Sequence, residues 1–265
     1  MHTRTLVLGV VLATSFSGAT ALASADAATS HHTSRADRAG AYKVTAKVNK
    51  TEPLLNSKVK IKGAVSPGAP GATVTLQVRY QDQKKWKTID TGRLNNASKY
   101  KFKDKVGSVR ERKYRVIKAA SANRSAGRSP ALKVTVFGWR TLTSLTPATT
   151  AGVAEVDNAT INGVTYPSSL RSVGLPSGSS IEYNINRDCK AFRGTAGLED
   201  SSPSGGTGVV SLLADGFTKY SGGFGLAQAA PVYFEVPNVF RLTVNTTTTG
   251  GGIAAVGTPE VLCSF

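Results

Sequence analysis

Apolar and polar residues alternate with period two along most of the chain from Tyr42 onward. Val44, Ala46 and Val48 face one way, with Lys43, Thr45 and Lys47 the other; Val59, Ile61, Gly63 and Val65 alternate with Lys58, Lys60 and Lys62. Val74, Leu76, Val78 and Tyr80 mark a third strand, and 85–90 around Trp86 a fourth. Tyr100 and Phe102 between Lys99, Lys101 and Lys103 give a fifth, Tyr114 and Val116 a sixth, and Leu132, Val134 and Val136 a seventh. Alternation of this kind sets one face of each strand on a core and the other in water. A second series of short runs follows at 159–166, 180–185, 189–197, 208–214, 232–236, 240–245 and 253–263, bounded by Gly, Pro, Asn and Ser. No stretch sustains a helical period. The pattern predicts an all-β chain of two sandwiches, over 42–140 and 155–265. The Thr- and Ala-rich run 141–154 between them reads as a linker, and Trp139 just before it belongs either at the junction or in the first core.

The ends set the compartment. Arg4, the apolar run from Leu6 to Ala13 and the small residues around Ala23 and Ala25 form a cleaved export signal over 1–25, too short for a membrane span. Residues 26–41 lack periodicity and read as a disordered linker. The protein is therefore expected outside the cell, without a membrane span and associated with the wall. Its only two cysteines, Cys189 and Cys263, are expected to form one disulfide in that oxidising compartment.

Charge divides the chain. Residues 42–140 hold 24 Lys or Arg against 5 Asp or Glu, whereas 141–265 hold 6 against 9. The formal net charge of +17 thus belongs to the first sandwich, and the two halves should meet different partners.

Seven short strands at this spacing suit an immunoglobulin-like sandwich. The succession Tyr80, Trp86-Lys87-Thr88-Ile89, Ser98-Lys99-Tyr100-Lys101-Phe102 and Lys113-Tyr114-Arg115-Val116 resembles the bacterial Ig-like domains of secreted actinobacterial proteins, a resemblance that implies a spacer or adhesion role. In the second half, Ala159-Thr160-Ile161-Asn162-Gly163-Val164-Thr165-Tyr166 opens a series. Ser180-Ile181-Glu182-Tyr183-Asn184-Ile185, the run from Cys189 to Asp200, Leu213-Ala214-Asp215-Gly216, the run from Val239 to Val244 and Val261-Leu262-Cys263 continue it. This order resembles the NPCBM family, the "novel putative carbohydrate-binding module" of secreted bacterial proteins. The resemblance implies a galactose-binding-like jelly-roll sandwich and sugar binding. Members usually carry a His after the opening strand and often a Trp in the last one; 167–174 and 254–259 have neither.

The chemistry on offer is narrow. The three histidines, His2, His31 and His32, all lie before the first sandwich, so no Ser–His–Asp, Cys–His or His-ligated zinc arrangement can form within a domain. Carboxylate pairs drawn from Glu199, Asp200 and Asp215 are the remaining glycosidase route, yet adjacent Glu199 and Asp200 and the Asp215-Gly216 pair read first as turn residues. Two such carboxylates also fall short of a calcium site. No cofactor, metal or catalysis is expected. As sugar contacts, Glu199, Asp200, Asp215 and Tyr220 stand out, because they sit in or beside Gly/Ser-rich segments where a ring and acceptors can meet a sugar. Binding is expected through loops and near the millimolar range, about −4 kcal/mol.

Lysine gives the sharpest local inference. If the first, second and fifth strands share a sheet, Lys43, Lys47, Lys58, Lys60, Lys62, Lys99, Lys101 and Lys103 share its outer face. Like charges on neighbouring strands repel, so such a face points to a polyanionic partner such as an anionic wall polymer rather than a specific nucleic acid; a solvated face that blunts sheet edges is the plain alternative. The functional expectation is a secreted, non-catalytic glycan-binding protein, with a structural spacer that has lost its sugar site as the rival.

Overall fold

A computed structural model describes residues 40–173 and 178–265. The export signal, the three histidines and nearly all of the 26–41 segment lie outside the described residues.

Eight antiparallel strands build the first sandwich: β1 (Lys43–Val48), β2 (Lys58–Ser66), β3 (Thr73–Tyr80), β4 (Lys87–Arg93), β5 (Lys99–Lys105), β6 (Glu111–Lys118), β7 (Gly127–Arg128) and β8 (Leu132–Thr135). One sheet has the order β1-β2-β5; the other runs β4-β3-β6-β7, with β8 paired to the opposite end of β6. The alternation works as the sequence suggests. Val44, Val59, Ile61, Val65 and Phe102 of the first sheet meet Val74, Leu76, Val78, Tyr114 and Val116 of the second, all buried. Two polar bonds tie this core. The Tyr114 hydroxyl donates to Asp104 Oδ2 at 2.6 Å, crossing between β6 and β5, and the Tyr100 hydroxyl donates to the Thr45 carbonyl at 2.5 Å. Gly63 stands between Ala46 and Tyr100 in the β1-β2-β5 register, and a Cβ there would collide with the Thr45 carbonyl and the Tyr100 side chain.

The second sandwich has eleven strands: β9 (Gly138–Thr141), β10 (Thr149–Ala151), β11 (Val153–Ile161), β12 (Val164–Ser172), β13 (Ser179–Asn184), β14 (Cys189–Leu198), β15 (Thr207–Ala214), β16 (Phe217–Phe224), β17 (Ala229–Glu235), β18 (Arg241–Thr249) and β19 (Ala254–Cys263). They form a β10-β13-β18-β15-β16 sheet and a β11-β12-β19-β14-β17 sheet, with β9 paired to β19. Their inner faces enclose a core that includes Ile181, Tyr183, Phe192, Leu212, Leu242, Val244, Val256 and Val261. Cys189 and Cys263 are directly opposite on β14 and β19 and are joined in a disulfide.

The expected 141–154 linker is corrected by the structure. Thr141 ends β9, Leu142 is fully buried in the second core, β10 pairs with β13, and Val153 opens β11 as a core residue. The Thr- and Ala-rich composition masks the run because its two buried residues, Leu142 and Val153, lie too far apart to show a period, and Leu145 packs against the core only in part. Trp139 likewise belongs to the second sandwich, opposite Leu262 on β19. Only Val136 and Phe137 separate β8 from β9. Phe137 is tied to the chain before β2, donating its N–H to the Pro53 carbonyl and accepting from the Leu55 N–H at 2.7 Å. The Lys190 ammonium lies 4.3 Å from the Phe137 ring centroid and pairs with Glu52. The two sandwiches thus meet at a packed junction.

Candidate functional site

The four residues singled out as sugar contacts separate into two places. Glu199 and Asp200 follow β14, beside the start of β19, where the Glu199 N–H reaches the Ile253 carbonyl at 2.8 Å. Asp215 lies at the far end of the eight-residue strand β15, where its N–H reaches the Arg241 carbonyl at 2.9 Å. A strand of that length spans roughly 25 Å. These carboxylates cannot flank one scissile bond or one sugar.

Each carboxylate also has a structural task. The Asp200 oxygens accept the N–H groups of Asn162 and Gly163 at 2.8 Å each, closing the β11–β12 hairpin, whose turn needs positive φ at both residues. Glu199 is buried, with both oxygens 3.4 Å from Arg171 Nη1. Asp215, with φ 48°, and Gly216, with φ 84°, form the two-residue turn of the β15–β16 hairpin. The Asp215 carboxylate accepts from the N–H of Phe240 at 3.1 Å and of Arg241 at 2.8 Å. It therefore pins β18 to the hairpin.

Tyr220 is not in a loop. The segment Tyr220-Ser221-Gly222-Gly223-Phe224 forms part of β16, and Tyr220 stands opposite the buried Leu212 at the edge of the core. Burial raises its phenol pKa. The exposed rings at that end of the sandwich are Phe217, 74% exposed, and Phe240, 36% exposed, which flank the Asp215 turn. Around them lie planar polar groups. The Arg187 guanidinium is 5.5 Å from the Phe240 ring centroid, and Arg241 donates to Asn184 Oδ1 at 3.2 Å and to Glu182 Oε2 at 2.9 Å. An apolar ring beside fixed donors and acceptors is the chemistry that holds a sugar, whose ring has an apolar face and whose rim carries hydroxyls. Sequence reasoning passed over Phe217 because Asp215-Gly216-Phe217 resembles the start of an ordinary strand; its exposure follows from β16 being an edge strand.

A second polar surface crosses the outer face of the same sheet. Ser180, Asn245, Ser211 and Ser221 stand directly opposite one another on β13, β18, β15 and β16. A shallow cavity of about 300 Å³ is lined by Ser180, Ser211, Asn245 and Thr247 among others.

In the first sandwich the eight expected lysines do lie together on the outer face of β1-β2-β5, and all are exposed. The register aligns Lys47, Lys62 and Lys101 in one row across all three strands, and pairs Lys60 with Lys103 and Lys58 with Lys105. Strands stand about 4.8 Å apart, so these ammonium groups repel. Among the described residues, none of the eight takes part in an ion pair. The face is an open trough of about 1120 Å³, lined by Lys47, Asn49, Lys60, Lys62, Lys99 and Lys101 with Arg93, and by no carboxylate.

The chain is thus built of two β-sandwiches, one strongly basic and one bearing exposed rings and fixed polar groups at a strand end. Residues 134–256 match the NPCBM/NEW2 domain, a stretch that starts within β8 and coincides with most of the second sandwich. A 77-residue segment is 35% identical to a protein of Renibacterium salmoninarum named "Putative endo-alpha-N-acetylgalactosaminidase"; the segment is 29% of this chain and covers only 5% of that relative's length. Among solved structures, a CBM51 of Clostridium perfringens GH95 in complex with methyl-galactose aligns with 46% of this chain and 99% of its own, at 12% identity and a TM-score of 0.36.

Proposed function

We propose that this is an exported, non-catalytic glycan-binding protein whose second sandwich takes a neutral glycan while its first sandwich holds an anionic wall polymer. The NPCBM match over 134–256 carries the glycan reading. The site favoured by the geometry is the strand end around Phe217 and Phe240, with Asn184, Arg187 and Arg241 supplying directed polar contacts and Asp215 holding the turn that presents them. Affinity near the millimolar range fits a surface of two exposed rings with no deep pocket. For the first sandwich, the uncompensated lysine rows support association with a phosphate-rich polymer of the teichoic acid kind. The disulfide is compatible with an extracellular location, and no helix among the described residues is long and apolar enough to cross a membrane.

The decisive experiment is an NMR titration of the exported chain against a panel of neutral glycans. The panel includes N-acetylgalactosamine glycans, because the 77-residue match is to a protein named for cleaving them. Saturable shifts centred on residues 182–187, 215–217 and 238–241 are expected. Shifts confined to the Ser180–Ser211–Asn245 surface would move the site, and a folded protein with no response to any glycan would leave the spacer reading in its place.

A further inference from the structure

The outer face of the other sheet of the first sandwich carries cations of a different kind. Trp86 lies just before β4 with two guanidiniums on its indole: Arg115 of β6 at 4.1 Å from the ring centroid and Arg79 of β3 at 5.0 Å. Arg115 stands opposite Gln77 on β3 and donates its Nε–H to Gln77 Oε1 at 2.9 Å, which fixes the plane of its fork. Arg128 of β7 pairs with Ile117, two residues along β6 from Arg115, and so lies diagonally beside it on the same face.

Among the described residues, none of Arg79, Arg115 and Arg128 joins an ion pair. Of the acids on or beside this sheet, Asp82 pairs with Arg110 and Glu111 with Lys133 and Lys113, while Asp90 of β4 accepts the Thr91 N–H and joins none of the three arginines. Burial and then the charges of Arg128 and Arg79 lower the pKa of Arg115, the sign of cations crowded together without a counter-ion. The indole stabilises the crowding by offering its negative face to both guanidiniums. That arrangement occupies the ring and leaves it unsuited to stacking a sugar. It leaves free the outward N–H groups, for which, among the described residues, Gln77 is the one acceptor, taking a single bond from Arg115.

We propose that Arg79 and Arg115, both held by Trp86, form with the neighbouring Arg128 a binding site for a tetrahedral oxyanion, the sulfate or phosphate ester group of a polymer. The site is separate from the lysine trough, which lies on the opposite sheet, and does not depend on the polymer-binding role given to that trough. The two faces differ in chemistry. Lysine offers mobile point charges, whereas guanidinium offers a rigid planar fork that bonds two oxygens at once. The trough should therefore respond to charge density alone, and the arginine face to the geometry of the anion.

The indole N–H of Trp86 reports the site in 15N NMR spectra of the whole exported chain; the signal of the chain's other tryptophan is identified by Trp139→Phe. Titrations with a sulfated disaccharide and with tripolyphosphate at 0.15 M salt separate the two sources of the oxyanion, and saturation by either supports the site. Arg115→Lys with Arg128→Lys keeps every charge but removes the forks, and is expected to weaken binding at least fivefold. Lys60→Gln with Lys101→Gln removes two charges from the opposite face and should change it less than twofold. Because Arg128 is exposed and stacks on nothing, Arg128→Lys alone gives a folded variant, with an expected threefold loss. The proposal is overturned if neither probe saturates, if the Lys variants bind as the parent does, or if the Lys→Gln pair weakens binding as much as the Arg→Lys pair.

Discussion

Replacing Asp215 by Ala tests whether this carboxylate is a turn clamp or a sugar contact. In the folded protein it accepts two backbone N–H groups, from Phe240 and Arg241, and it occupies the left-handed region at φ 48°. Hydrogen bonds to a charged group are worth about 1.5–3 kcal/mol when shielded. Asp215 is exposed and water replaces part of the loss, so about 1 kcal/mol per bond is reasonable. A left-handed Ala adds about 1 kcal/mol, whereas Asp and Asn tolerate that conformation. The sum is about 3 kcal/mol. At about 2–4 °C per kcal/mol for a unit of this size, the melting temperature should fall by about 6–12 °C. Asp215→Asn keeps an acceptor and the backbone preference and should recover more than half of the loss. Thermal melts followed by circular dichroism measure both variants. An Ala variant melting within a degree of the parent would refute the clamp, and so would an Asn variant no more stable than the Ala variant.

Cys263→Ser should lower stability by about 2–4 kcal/mol, read by urea unfolding, because it releases a loop of 74 residues in the unfolded chain; a loss below 1 kcal/mol contradicts this. Lys60→Glu with Lys101→Glu should abolish retention on poly(glycerol phosphate) at low salt. Raising salt to 0.5 M should release the parent protein, since exposed charges are screened within about 8 Å already at physiological ionic strength; retention that ignores both changes removes the lysine face from polymer binding. Tyr100, Tyr114 and Tyr183 ionise well above the ordinary phenol range, chiefly through burial, with Asp104 and Glu155 adding to the last two. A raised folded-state pKa means stability is complete below the unfolded value of about 10 and declines as pH climbs past it. Tyr114→Phe with Tyr183→Phe should flatten that alkaline decline in chemical denaturation, and an unchanged slope would count against it.

Period-two alternation by itself determined both sandwiches, because each strand buries every second side chain and that constraint is local. The lysine face was legible for the same reason: once Val59 and Ile61 point inward, Lys58, Lys60 and Lys62 have only the outside. The NPCBM-like order of motifs from Ala159 to Cys263 was also visible in the chain, as were the turn-forming Asp215-Gly216 and Asn162-Gly163 pairs. What only the tertiary structure decided is where distant residues meet. Thr141–Val153 carries too few apolar residues to show a period, and it joins the second core because β13 and β19 offer unpaired edges to β10 and β9. Tyr220 turned inward through its register with Leu212, while Phe217 three residues earlier stayed in water. Glu199 and Asp200 were separated from Asp215 by the length of β15. The Trp86 arginine cluster draws on β3, β6 and β7 at once. Side-chain facing follows from neighbours along the chain, but a site made from several strands depends on register, and register is fixed by how whole sheets pack.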